Sequence, residues 1–312
     1  MTEKFKILKI VVFICAVFTI IGVLSVMVNP DNTGAGVDKF DKVVIDADSE
    51  NENSIDVVVI GDSEAYRSII PPEMYRKYGF TSYVAASPAQ KTYQSYDMLE
   101  AILERQKPSV CILEPNVLFR DYSIVSSVWP KFEKTFPIFK YHNAWKGVFD
   151  SDYKYDDLSF DSFKGYRYID SVKATKNVNY MVQTDSTEPI STSNINDFRR
   201  ICELCEKNDI KLLLLRTPSI KNWNYAKYDA VRQLAEKYKV KFIDLNMDNS
   251  IGIDWTQDTY DKGDHLNYSG AEKVTNFLGA YLDKRYDLPD HRGDKEYASW
   301  EKSVEKYLQK ID

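Results

Sequence analysis

Cysteine is scarce in this chain and histidine scarcer, with four and three among 312 residues. Four thiols are too few to staple a domain of this size, so the fold has to rest on a hydrophobic core. Their positions say the same. Cys15 lies inside an apolar run, Cys111 inside a strand-like run, and Cys202 and Cys205 on a segment with helical periodicity (Phe198, Ile201, Cys202, Leu204, Cys205). No second pair or nearby histidine completes a zinc set. The C-x-x-C pair therefore reads as two small apolar residues on one helical face, and neither a metal nor a cofactor is implied. The chain also lacks any Lys/Arg-rich run and carries a formal net charge of −6. That argues against a nucleic-acid partner. There are no internal repeats and no low-complexity stretches.

What is present begins with an apolar run. From Ile10 to Val28 neither charge nor proline interrupts the chain, and this nearly matches the ~20 residues that a helix needs to cross a bilayer. A cleavable signal peptide has a shorter apolar region and ends at a small-x-small site. Val26-Met27-Val28-Asn29-Pro30 offers none. Lys4, Lys6 and Lys9 precede the run, and Asp31, Asp38 and Asp41 follow it. The positive-inside rule then places residues 1–9 in the cytoplasm and the rest outside, as a single-pass membrane protein anchored through residues 1–30. Residues 31–53, acidic and poor in large apolar groups, read as a juxtamembrane linker. Residues 54–312 have the size of one domain with a substantial core.

Within that domain, strand-like runs occur at Asp56–Ile60, Ser82–Ala86, Ser109–Leu113, Ile210–Arg216 and Val240–Leu245. Helical patterns alternate with them at Pro71–Tyr78, Gln90–Gln106, Ile195–Asn208, Tyr225–Tyr238 and Ser269–Lys284. Such alternation predicts βαβ units and a mostly parallel, doubly wound α/β sheet. Pro71-Pro72-Glu73 suits a helix start, and Ser269 is expected to cap the last core helix, with Glu272 at its third position. The alternation breaks between residues 117 and 194, where aromatics crowd, among them Phe119, Trp129, Phe132, Phe136, Trp145, Phe149, Tyr153, Tyr155, Phe160, Phe163 and Tyr166. A stretch this long is expected to be a helical and irregular insertion over one edge of the site, with its own small core. A few of its rings are candidates for stacking on sugars. The tail, residues 285–312, carries Tyr297, Trp300, Val304 and Leu308 at helical spacing and is expected to pack back on the domain.

The chemistry lies at the two ends of the domain. Val57-Val58-Val59-Ile60 is an apolar, β-branched run that stops at Gly61 and delivers Asp62-Ser63 at its C-terminal end, the end at which open α/β sheets bind ligands. A serine needs a base to take its proton. His265 is the histidine placed in an Asp- and Gly-rich loop just before a helix, Asp264-His265-Leu266-Asn267. Serine, histidine and a nearby carboxylate make an acyl-transfer constellation.

Gly61-Asp62-Ser63 after a strand resembles the first motif of the GDSL/SGNH hydrolase superfamily, and Asp264-His265-Leu266-Asn267 before a helix resembles its last. The resemblance covers roughly residues 55–285, with the insertion outside it. Arg216-Thr217-Pro218-Ser219-Ile220-Lys221-Asn222-Trp223-Asn224-Tyr225 and Phe242-Ile243-Asp244-Leu245-Asn246 look like the membrane-tethered SGNH-like proteins of Gram-positive bacteria. That group is similar to the partners of membrane-bound O-acyltransferases. The resemblance implies a three-layer α/β/α, flavodoxin-like parallel sheet, with Ser63 as nucleophile and His265 as general base and then acid.

Two parts depart from the superfamily. Its pattern places an aspartate three residues before the histidine, where this chain has Lys262. Asp261 lies four before and Asp264 one before. Adjacent side chains diverge and Gly263 frees the loop to bring Asp261 back, so Asp261 is preferred as the orienting acid, with Asp264 as the alternative. The oxyanion donors implied by the resemblance are the Ser63 N–H, an N–H near Ser87 in a block without glycine, and the Asn116 side chain in Leu113-Glu114-Pro115-Asn116. An Asx turn is the competing role for Asn116.

The expected function is an extracytoplasmic serine esterase or O-acyltransferase that acts on acyl, chiefly acetyl, esters of a cell-surface carbohydrate. Its rival is an SGNH scaffold of weak or no activity that partners a membrane-bound O-acyltransferase. A protease is disfavoured, since nothing marks a peptide groove.

Overall fold

The computed structural model describes residues 2–28, 39–123, 163–176 and 178–312, together with Val125, Trp129, Phe132, Glu133 and residues 135–141. The chain divides into two units, one made of residues 1–38 with 122–159 and the other of residues 39–121 with 160–312. In the first unit, helix α1 (Thr2–Val28) is long and apolar enough to cross a membrane. Val28 packs against Ile138 and Tyr141 there, and Phe136 approaches Phe18 at 6.0 Å between ring centroids.

The second unit carries the sheet. Five parallel strands, β1 (Val57–Gly61), β2 (Ser82–Ala86), β3 (Val110–Leu113), β4 (Lys211–Arg216) and β5 (Lys241–Asp244), run in the order β2-β1-β3-β4-β5. Pairing Val57 with both Ser82 and Val110 puts β1 between its neighbours. The central strands β1 and β3 read as unbroken apolar runs because both faces are covered, whereas the edge strand β5 begins and ends on a charge and is only partly covered. Val58, Ile60, Cys111, Leu113 and Leu214 point to one face, beneath α2 (Lys39–Asp48), α5 (Thr92–Ile102), α6 (Thr192–Lys207) and α7 (Tyr225–Tyr238). Val57, Val59, Ile112, Leu213 and Leu215 point to the other, beneath α3 (Ser63–Ser68) and α8 (Tyr268–Arg285). The result is the expected α/β/α sandwich with flavodoxin-like strand order. In that order the chain reverses direction between β1 and β3, which opens a crevice at their C-terminal ends.

Several boundaries differ from expectation. The stretch expected as a linker is folded from Lys39 onward: Val43 and Ala47 of α2 are buried in the core, and only residues 31–38 lie outside the described residues. An amphipathic spacing too short to stand out supplies that helix. Asn267, rather than Ser269, caps α8, its side chain accepting from the Gly270 N–H. The expected insertion also behaves differently along its length. The described residues between 163 and 190 form no helix or strand and make up a strap, with the Arg167 N–H on the Tyr66 carbonyl and the Thr175 N–H on the Trp255 carbonyl. Phe163 and Tyr166 are buried with Ile70, Ala271 and Tyr307 rather than in a core of their own. Trp129, Phe132, Phe136 and Phe139 do cluster with one another. Trp145, Phe149, Tyr153, Tyr155 and Phe160 lie outside the described residues. The tail forms α4's partner: α9 (Ala298–Ile311) packs on α4 (Pro71–Tyr78), with Trp300 and Tyr307 fully buried. All four cysteines are free thiols, and Cys205 sits in the core as a small apolar residue.

Candidate active site

At the end of β1 the backbone passes so close to β3 that a Cβ on Gly61 would stand 2.7 Å from the Glu114 Cβ. Glycine is therefore required there. Asp62 then caps α3: its Oδ1 accepts from the Glu64 N–H at 3.0 Å. Ser63 occupies the first helical position, where an N–H has no intrahelical acceptor. Its hydroxyl stands over the crevice, half-buried.

The facing loop is built by two successive left-handed residues, Lys262 (φ 67°) and Gly263 (φ 85°). The Gly263 N–H and the His265 carbonyl both bind the Thr259 hydroxyl, at 2.8 and 2.9 Å. The turn folds Asp261 back over the residues that follow it. Asp261 Oδ1 accepts from the backbone N–H of His265 at 2.7 Å and of Asp264 at 3.1 Å. Asp261 Oδ2 meets His265 Nδ1 at 2.6 Å, and His265 Nε2 meets Ser63 Oγ at 2.8 Å. The structure thus brings Ser63, His265 and Asp261 into one chain of contacts. Asp264 Oδ1 stays 3.9 Å from Nδ1 and takes a hydrogen bond from the Asn222 side chain instead.

Charge around the histidine favours its protonated form. Burial opposes ionisation of His265, but the Asp261 hydrogen bond and the nearby Glu64 and Asp264 carboxyls outweigh it, and its pKa stands above the ordinary value. Asp261 shows the mirror image: burial would raise it, yet the His265 contacts hold it below the usual carboxylate range. Glu64, Asp264 and His265 also place possible ligand atoms within 4.8 Å of one another. With Nε2 on Ser63 and Nδ1 on Asp261, the imidazole has no lone pair to spare for an ion.

Beneath Ser63 lies a buried charge cluster that sequence reading missed. Arg216, fully buried at the end of β4, pairs with Glu114 at 2.5 Å and faces Glu64 at 3.6 Å. Three carboxyls, Asp62, Glu64 and Glu114, crowd this one guanidinium. Burial and mutual repulsion push Glu114 up to about 8 and raise Glu64 as well. The Asn222 side chain ties this floor to the His loop, donating to both Glu64 and Asp264. Glu64 was detectable only as the residue after the nucleophile, and Arg216 only as a charge ending an apolar strand.

The expected oxyanion donors are less free than the relay. The Ser87 N–H donates to Gln90 Oε1 at 2.9 Å, so it is not available to a substrate in this arrangement. The cause is local: Gln90 folds back three residues and its amide is held by Ser95. Asn116 follows β3 as expected, but its Nδ2 donates to Asp62 Oδ2 at 2.9 Å. An amide carries two hydrogens, so one remains. Arg120 holds the same Asp62 oxygen from Nε at 2.7 Å.

Three further residues flank the pair. Tyr66 and Arg67 sit three and four residues after Ser63 on α3, the spacing that shares a helix face, which is the signal that could have found them. Burial keeps the Tyr66 phenol above its ordinary pKa, although Arg167, Arg67 and the Ser63 hydroxyl pull it down. Tyr260 stacks on His265, with 5.7 Å between ring centroids. A separate cavity of about 760 Å³, lined by Tyr180, Trp255, Met247 and Pro218 among others, includes none of Ser63, His265 or Asp261.

No protein-family profile and no curated protein sequence matches this chain. Solved structures do. A GDSL-like lipase from Bacteroides thetaiotaomicron is similar at 10% identity and a TM-score of 0.41, over 80% of this chain and 98% of that one. A psychrotrophic esterase from Pseudoalteromonas sp. is similar at 10% identity and 0.41, over 73% and 97%. A lipase/acylhydrolase from Enterococcus faecalis is similar at 10% identity and 0.39, over 76% and 98%.

Proposed function

We propose that this protein is a membrane-anchored acyl-ester enzyme, an esterase or O-acyltransferase acting on acetyl-sized esters of a cell-envelope carbohydrate. The observation that carries the reading is the contact of Ser63 Oγ with His265 Nε2 at 2.8 Å, continued through Nδ1 to Asp261 at 2.6 Å. In the first half-reaction Ser63 Oγ attacks the ester carbonyl while Nε2 takes the hydroxyl proton. The imidazolium then returns that proton to the departing sugar oxygen, leaving an acyl-serine. In the second, water or another sugar hydroxyl gives its proton to Nε2 and attacks the acyl carbon, and Nε2 returns that proton to Ser63 Oγ as the acyl–Oγ bond breaks. Asp261 keeps the proton on Nδ1 and stabilises the imidazolium. The Ser63 N–H and the second Asn116 amide hydrogen are the donors nearest the developing oxyanion. Anchoring through α1, with Lys4, Lys6 and Lys9 inside, would hold the sheet domain at the outer membrane surface, where such polymers lie.

The test is turnover of a chromogenic acetyl ester by the full chain in detergent micelles, beside Ser63→Ala. Wild-type turnover that falls by about 10⁴-fold or more in the variant supports the reading; equal rates reject it. A second reading has one specific observation in its favour. With the Ser87 N–H engaged by Gln90, the domain would serve as a weakly active scaffold beside a membrane-bound O-acyltransferase. Covalent labelling of Ser63 by a fluorophosphonate separates the two, because a scaffold has no need of an activated serine.

A further inference from the structure

The aromatic residues beside the reacting pair carry two guanidiniums. Arg67 Cζ lies 5.5 Å from the Tyr66 ring centroid and 5.2 Å from that of Tyr260. Arg167, on the strap, lies 4.1 Å over Tyr66. Tyr66 touches Ser63 and Tyr260 stacks on His265, so each cation is one ring away from a reacting side chain.

Arg67 is held by backbone carbonyls rather than by a carboxylate. Its Nη1 donates to the carbonyls of Arg167 at 2.7 Å and Tyr168 at 3.4 Å, which fixes the guanidinium plane. Its Nε is buried without a hydrogen-bond partner, and among the described residues no carboxylate pairs with it. The Nε/Nη2 edge is the fork that grips carboxylate or phosphate with two parallel hydrogen bonds. Arg76 uses that edge on Glu73, Arg120 on Asp62, Arg232 on Asp229 and Arg292 on Asp290. Arg67 alone of these five meets no carboxylate through it and has only the neutral Tyr260 phenol beside the guanidinium, so its charge is left without a counter-ion that an incoming anion would supply.

We propose that Arg67, with Arg167 behind Tyr66, forms an anion-binding subsite next to Ser63, and that the ester substrate carries a fixed negative charge, carboxylate or phosphate, close to its acyl group. This rests on Ser63 and His265 as an acyl-transfer pair. The chain's formal net charge of −6 repels an anionic polymer at long range, so recognition has to come from cations placed at the site.

The experiment uses the full chain in micelles and matched aryl acetates. 4-Acetoxybenzoate is set against its methyl ester, and 4-acetoxyphenyl phosphate against 4-acetoxyanisole, each rate divided by the ester's own hydroxide-catalysed rate. We expect at least one anionic ester to be preferred by about ten- to hundredfold in kcat/KM, carried by KM and shrinking as salt is added. The arm with the larger preference identifies the anion. Arg67→Gln should bring the ratio near one, and Arg67→Lys should keep part of it, since lysine retains the charge but not the fork. Ratios unchanged in Arg67→Gln, or neutral esters preferred by wild type, overturn the subsite. If wild type hydrolyses none of the four, the acyl-transfer reading is what has failed. Calorimetric binding of inorganic phosphate and of benzoate then decides the subsite by itself: binding lost in Arg67→Gln and partly kept in Arg67→Lys supports it, and equal or absent binding rejects it.

Discussion

The two sides of the crevice are prepared to different degrees. On the relay side every contact is made: Ser63, His265 and Asp261 stand at 2.8 and 2.6 Å, and the loop that carries two of them is pinned by Thr259 and by the Ser219 hydroxyl on the Asp264 carbonyl. On the oxyanion side two of the expected donors are committed elsewhere, the Ser87 N–H to Gln90 and one Asn116 hydrogen to Asp62. Proton transfer needs side chains aligned before substrate arrives, whereas an oxyanion hole needs donors that nothing else satisfies. On the proposed reading, the contrast puts the weak point of catalysis in stabilising the tetrahedral intermediate rather than in generating the nucleophile.

The largest effect expected on the relay side separates its two aspartates. Asp261→Asn should cost about 10⁴-fold in kcat with the fold intact, because an amide at that position leaves the imidazole in the wrong tautomer. Asp264→Asn should cost less than about tenfold, since Asp264 supports the turn through Asn222 rather than touching Nδ1 closely. Stopped assays on both variants read this directly, and the reverse ranking would hand the orienting role to Asp264.

The oxyanion side should respond less. Asn116→Ala is expected to lower kcat by about 10²-fold with KM little changed. A loss shared by KM and thermal stability would instead assign Asn116 to the Asp62 cap.

The smallest effect is the pH dependence, which reads the relay together with the buried Glu114 beneath it, pushed up to about 8. His265 accepts a proton only when neutral, and its pKa is raised above the ordinary ~6.5. kcat/KM should therefore rise with pH through that raised value and level off above it. Stability runs the other way. A histidine with a raised folded pKa contributes stability that is fully present below the unfolded pKa and lost as pH rises through the folded one. Melting curves and rates across that window should thus move in opposite directions, and Asp261→Asn should shift both transitions to lower pH.

Much of this was legible residue by residue. β1, β3 and β4 lie where Val, Ile and Leu runs predicted them, because strands covered on both faces need no polar alternation, and β2 and β5 lie within the shorter runs that marked them. Tyr225–Tyr238 and Pro71–Tyr78 begin and end as their patterns indicated. Other features left no such trace. α2 is ten residues, and among its described side chains only Val43 and Ala47 are buried, too short a periodicity to outweigh its acids. The strap is held at Arg167, Lys173 and Thr175 by backbone bonds to Tyr66, Thr259 and Trp255, partners distant in sequence. The approach of Asp261 to His265 depends on a left-handed lysine at position 262, which a residue of that type rarely adopts without surrounding structure to hold it.

By itself, then, the sequence determined the strands, the crevice at their C-terminal ends, and the serine and histidine at either end of the domain. These follow from side-chain burial and backbone preference, which act over a few residues. The tertiary structure alone decided which carboxylate meets the imidazole, that Arg216 pairs with Glu114 across 102 positions, and that Arg67 lies against Tyr66 and Tyr260 rather than on a carboxylate. Those outcomes are settled by competition for hydrogen-bond partners, and the competitors meet only when the chain has folded.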